Sequence, residues 1–187
     1  MARIRRWGQP RPFHEGIAAI LIWGVNGARN TSAFINQSGH VVLSGGAANW
    51  QASFSGGLMP LADGARWGFV DKSFRWAIAP KYDGAEEFSD GLAPVQVGRK
   101  WGYIDKTGNQ IVSPAYDQAW EFSDGRGRVE IDFPTGKKSM TMEGPQPVYR
   151  REFGFVDANG AEAIRPQFES ATNFQQGRAF VILPGSR

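Results

Sequence analysis

The sequence predicts an all-β repeat protein, and three observations carry that expectation. Glycine and proline number 24 and 11 among 187 residues, nearly one residue in five, and no stretch without either exceeds 11 residues. Both interrupt helix interiors, so a helical bundle is excluded and short strands punctuated by turns are expected. Hydrophobic residues at 41% and aromatic residues at 13% supply ample material for a core, which argues against disorder. The third observation is an internal period: Phe88-Ser-Asp-Gly-Leu-Ala-Pro-Val95 returns in altered form at Phe54–Leu61 and at Phe122–Val129, each 34 residues away.

A second motif runs in phase with the first. Thirteen residues after Phe54 and Phe88 come Trp67-Gly-Phe-Val-Asp71 and Trp101-Gly-Tyr-Ile-Asp105, and thirteen after each tryptophan come Pro80-Lys-Tyr-Asp83 and Pro114-Ala-Tyr-Asp117. A third copy reads Phe153-Gly-Phe-Val-Asp157 and Pro166-Gln-Phe-Glu169, displaced from Phe122 by an insertion of 18 residues. A worn copy opens the chain at Phe13–Ile20 and Ser32–Asn36 with an insertion of 6 residues, and Phe174–Val181 begins a copy whose second half never arrives. The expected organisation is a basic leader at 1–12, a single array over 13–183 and a tail at 184–187. Within the array the repeats span 13–53, 54–87, 88–121 and 122–173, with a half repeat at 174–183. Because Phe13–Ile20 already supplies an opening strand, an open twisted stack is expected, with Phe174, Phe180 and Ile182 capping the last full repeat; a closed propeller-like or barrel-like ring is the alternative.

These motifs resemble those of the bacterial WG-repeat proteins, whose repeats read roughly phenylalanine, glycine, leucine-alanine-x-valine, then tryptophan-glycine-tyrosine-isoleucine-aspartate and proline-x-tyrosine. The repeats at 54–87 and 88–121 follow that pattern closely, and the outer two depart from it at Ser32-Ala33 and Phe153. The resemblance implies repeated β structure and an interaction role, and it implies no catalytic residues.

Each repeat reads as three strands. Ala93, Val95 and Val97 alternate with Leu92, Pro94 and Gln96, then Gly98-Arg99-Lys100 turns the chain into Trp101–Asp105, which makes a hairpin whose first strand tolerates proline at an edge or bulge. Asp105-Lys-Thr-Gly108 is a type I turn signal leading into a third strand at Gln110–Val112, ended by Pro114. Asp71, Asp105 and Asp157 each open such a turn without a neighbouring acid, which favours turn chemistry over calcium ligation. Trp67, Trp101 and Phe153, with the opening Phe54, Phe88, Phe122 and Phe174, are expected to be packing anchors between repeats rather than carbohydrate-stacking platforms. Tyr82, Tyr116 and Phe168 are expected in the core. Trp23-Gly24 falls in the first insertion, off the register.

Composition removes most familiar chemistry. There is no cysteine, hence no disulfide, thiolate nucleophile or sulfur-ligated zinc. His14 and His40 stand isolated in the worn repeat, so no catalytic residue, metal ligand or cofactor is assigned. The net charge of +3 belongs to the leader, where Arg3, Arg5, Arg6 and Arg11 meet no acid, which leaves the body at about −1. Pro10, Pro12, His14 and Glu15 interrupt a signal-peptide reading, so a cytoplasmic rather than secreted protein is expected, and no apolar run is long enough to span a bilayer as a helix.

Both insertions, within Leu21–Thr31 and Pro134–Glu152, interrupt the turn between the opening strand and the tryptophan strand. Insertions at one register project from one face of an array. That turn carries Arg66, Arg99 and Lys100 in the regular repeats, Arg29 in the first insertion, and Lys137, Lys138, Met140, Met142, Tyr149, Arg150 and Arg151 in the long one, which is expected to be a flexible loop. The expected function is a non-catalytic interaction or scaffold module that binds another protein through these residues. A nucleic-acid accessory using the arginine leader and the basic edge is the second reading, and a carbohydrate or cell-surface ligand binder the third.

Overall fold

The computed structural model describes residues 12–22, 31–44 and 52–185. The described residues contain strands, turns and no helix. Residues 1–11 of the leader, Trp23-Gly24 and Arg29 lie outside them. Two compact units divide the chain, Met1–Phe88 and Ser89–Arg187.

In the first unit, β1 (Ile17–Ile22), β2 (Thr31–Asn36) and β3 (Val41–Ser44) form one antiparallel meander. A second consists of β4 (Leu58–Asp63), β5 (Arg66–Asp71) and β6 (Trp76–Tyr82), with the short β7 (Gly84–Ala85) after it. The second unit begins with the meander β8 (Leu92–Val97), β9 (Lys100–Asp105) and β10 (Gln110–Tyr116). A four-stranded sheet follows in the order β11 (Gln118–Ser123), β12 (Arg126–Thr141), β13 (Gly144–Asp157) and β14 (Glu162–Phe168). Last, β15 (Ser170–Ala171) pairs with β16 (Val181–Ile182). The worn first repeat therefore has a true opening strand, and every sheet is open-ended rather than closed into a barrel.

Local chemistry explains the repeat. Every opening phenylalanine precedes a two-residue turn whose central residues both have positive φ, Asp90 at 48° and Gly91 at 85° in the third repeat, and the backbones of Ser89 and Leu92 bond reciprocally across it. Twisted hairpins select this geometry, and Asp-Gly is its strongest short-range signal. The Asp105 turn forms as expected: its Oδ1 accepts from the amides of Thr107 and Asn109, both at 2.9 Å, and Gly108 has a φ of 84°. The Thr107 hydroxyl, joined by the Asn109 amide, holds this carboxyl below the ordinary range against the opposing effect of burial. Asp71 and Asp157 accept in the same way, and Asn36 replaces the aspartate in the worn repeat.

The third strand does not stop at Pro114 but continues to Tyr116. Between Phe69 and Trp67 the register of β6 on β5 jumps from Ile78 to Tyr82, and the same jump falls between Tyr103 and Trp101 and between Phe155 and Phe153. Proline survives there because a bulged segment asks no ladder N–H of it. The bulge crosses directly over the glycine beside the tryptophan: a Cβ on Gly68 or Gly102 would lie 2.8 Å from the nitrogen of Pro80 or Pro114, and one on Gly154 would lie 2.5 Å from that of Pro166. The tryptophan-glycine pair and the proline thirteen residues later are thus one structural device.

Successive repeats meet through the aromatic residue two places after the tryptophan position. Phe69 packs on Phe88 at 4.8 Å, Tyr103 on Phe122 at 4.8 Å and Phe155 on Phe174 at 4.9 Å between ring centroids. All six are buried except Phe174. Trp101 is buried and Trp67 half-buried, each opposite the tyrosine of its own repeat, Tyr116 and Tyr82. Serine hydroxyls stitch the same joints, with Ser55, Ser89 and Ser123 donating to the carbonyls of Phe88, Phe122 and Phe174 at 2.5, 2.6 and 2.6 Å. The expected cap is only partly present: Phe174 covers Phe155, whereas Phe180 and Ile182 are exposed, because the two-residue β16 has no further strand to fold them inward.

Candidate functional site

The 18-residue insertion is not a flexible loop. β12 and β13 remain paired from Arg126↔Asp157 out to Thr141↔Gly144, with one bulge between Pro134 and Lys138, so the insertion is a hairpin arm. Its strands are ladder-bonded to each other on both sides of that bulge, which is why they order without a core beneath them. Pro134, Pro145 and Pro147 interrupt the donors of its edges, a usual protection against edge-to-edge aggregation.

The arm exposes what a core would normally hide. Met142 at the tip is fully exposed, Met140 is 78% exposed, and Tyr149 and Phe133 are exposed nearer the root. A concavity of about 450 Å³ lies at the bulge, lined by Phe133, Pro134, Thr135 and Arg150. The Arg150 guanidinium sits 5.5 Å from the Phe133 ring and 2.9 Å from Glu152. At the root, Arg151 approaches Glu130 at 3.7 Å and Asp132 at 3.8 Å. Burial pushes the Glu130 carboxyl above the ordinary range, with Arg151 opposing that shift. Lys137 and Lys138 lie exposed near the tip.

The basic residues of the regular repeats have a different setting. Arg66 pairs with Asp83 and Lys100 with Asp117, at 2.6 and 2.7 Å, each seventeen residues along the chain. Burial alone would raise Asp117, but the Asp132 amide and the Lys100 ammonium outweigh it and hold the carboxyl below the ordinary range. The turn edge is thus largely charge-compensated; Arg99 is exposed beside Asp117. The structure gathers the arm residues on one element and leaves Arg66 and Arg99 on separate hairpins.

One feature escapes the sequence reading. Arg128 stacks on Trp120 at 4.0 Å, near Phe153 at 5.9 Å, and donates through Nη1 to the carbonyl of Ala171. Burial lowers its pKa. The available signal was the departure of Arg126-Gly-Arg128 from the leucine-alanine-proline of the preceding repeat.

Among the described residues no group of three or more His, Asp or Glu could hold a metal ion. His14 and His40 take part in turns through their backbones. No helix of the described residues is long and apolar enough to cross a membrane.

Fold and motif together define a β-repeat module. The chain matches the WG containing repeat over residues 67–101, 101–132 and 153–183, half of its length, and belongs to that family. No curated protein matches it.

Proposed function

We propose that the protein is a non-catalytic interaction module whose repeats hold the β12–β13 arm outward to bind another protein. The observation that carries this reading is the exposure of Met140, Met142 and Tyr149 among the described residues, on an ordered hairpin arm. Methionine is unbranched and polarizable and adapts to varied partner surfaces, and tyrosine adds contact area at small entropic cost. Lys137 and Lys138 add a positive rim, suited to steering a partner with an acidic patch.

The test is co-purification from the native host with the intact chain and with a variant in which residues 135–147 are replaced by a two-residue turn, each at low and high salt. Loss of the partner only in the trimmed variant supports the reading. Retention by the trimmed variant, with loss at high salt or on removal of residues 1–12, would favour nucleic-acid association through the leader.

A further inference from the structure

The prolines of the arm treat its two edges differently. Proline has no N–H, so a facing pair that contains it is not the doubly bonded kind of an antiparallel ladder. Met140↔Pro145 and Lys138↔Pro147 are such pairs, which turns the N–H and C=O of Lys138 and Met140 away from β13. Nearer the root the same alternation turns the Asp132 amide outward, where the Asp117 carboxylate accepts from it at 2.9 Å. The outer edge of β13 lacks donors at Pro145 and Pro147, whereas β12 holds no proline beyond Pro134. β11 pairs with β12 only as far as Glu130, and among the described residues no strand pairs with that side of β12 farther out. Residues opposite one another, and alternate residues along a strand, share a face. Lys138, Met140, Pro145, Pro147 and Tyr149 therefore lie on one face, with Met140 78% and Tyr149 50% exposed. The Arg150 and Arg151 guanidinium groups meet Glu152, Glu130 and Asp132, but among the described residues neither the Lys137 nor the Lys138 ammonium meets an acid.

We propose that the outer edge of β12 at Lys138–Met140 is a strand-acceptor site for an acidic extended segment of the partner protein, which pairs antiparallel with it and reads apolar-x-acid. This rests on the arm being the partner contact and adds which edge is used and what chemistry it takes. The apolar residue lies opposite Met140, beside Pro145, and the acid opposite Lys138, beside Pro147; the residue between them faces away, on the side of Ser139. Main-chain bonds to Lys138 and Met140 supply affinity, and alternate side chains supply specificity. Charge complementarity selects the occupant. Residues 1–11, 23–30, 45–51 and 186–187, which lie outside the described ones, hold no Asp or Glu. Two copies paired through this edge would gather four lysines on one short ladder, which like-charge repulsion disfavours.

The probe is the capped peptide Thr-Ile-Thr-Tyr-Thr-Glu-Thr-Glu, titrated into the full chain while amide exchange is followed. Saturable binding is expected, with exchange at Lys138 and Met140 slowed about tenfold or more. Met140→Pro removes an outward N–H at an edge position that tolerates proline, and should abolish binding without moving the thermal midpoint. Lys137→Glu/Lys138→Glu should weaken binding about tenfold and should instead bind the peptide with lysine in place of glutamate, a rescue that a misfolded arm would not give. In the native host, a partner that is lost on trimming residues 135–147 but retained by Met140→Pro would leave the arm as the contact and overturn this edge as its site. Absence of saturable peptide binding, binding undiminished by Met140→Pro, or self-association that protects Met140 without peptide would each overturn the proposal. So would binding to phosphatidylserine vesicles in place of the peptide.

Discussion

Gly102 shows how one residue can decide a repeat. Its missing side chain lets the bulge at Ser113-Pro114 cross the tryptophan strand, and a Cβ there would lie 2.8 Å from the Pro114 nitrogen. Gly102→Ala should therefore cost at least about 1–3 kcal/mol through overpacking against backbone, read as a lower denaturant midpoint. Tyr103 makes a second residue-scale prediction. Its buried hydroxyl is shared between the carbonyls of Trp120 at 2.8 Å and Arg128 at 3.0 Å, and burial pushes its pKa far above the ordinary tyrosine range. Above about pH 10 the unfolded chain loses this proton and the folded chain keeps it, so the folded state binds more protons and stability falls as pH rises. Tyr103→Phe should cost about 1 kcal/mol at neutral pH and flatten that alkaline loss, measured by urea unfolding between pH 8 and 11. The tryptophans were read in the sequence as anchors between repeats; in the structure Trp101 is buried and Trp67 half-buried, each opposite the tyrosine of its own repeat. Which aromatic reaches the next repeat was not legible, because Phe69, Tyr103 and Phe155 share a strand with the more conspicuous tryptophan position and only the register of the joint separates their roles.

Among the elements, the hairpins were legible because Gly98-Arg99-Lys100 turns β8 into β9 and the Asp105–Gly108 turn specifies its own geometry, whereas the turn at Asp90-Gly91 was not read from the sequence. The third strand was not legible past Pro114. A proline reads as a stop unless the bulge that excuses it is known, and that bulge depends on a glycine in the neighbouring strand. The arm was missed for a related reason: polar and proline-rich sequence reads as a loop, while cross-strand pairing of β12 with β13 on both sides of one bulge orders it. Because residues 135–143 are exposed among the described residues, trimming residues 135–147 to a tight turn should leave the thermal midpoint within a few degrees, roughly the scale of a change of 1 kcal/mol or less. By contrast Ser89→Ala, which removes the 2.6 Å bond to the Phe122 carbonyl, should destabilise by about 1 kcal/mol although Ser89 lies in a turn.

Over the whole molecule, packed and exposed apolar side chains separate. The repeats spend their aromatic residues and their glycines on one another, and the exposed apolar side chains concentrate on the arm and the final strand. The period announced the scaffold because equivalent residues must recur at each joint; the arm interrupts that period, so its shape came only from pairing. The proposed partner contact of the arm can be checked by placing a photo-crosslinking amino acid at Met142 or, as a control, at the exposed Trp76, and irradiating in the native host. A discrete crosslinked protein from position 142 and none from position 76 is the predicted result. A partner that co-purifies with the chain but crosslinks only from position 76 would contradict it.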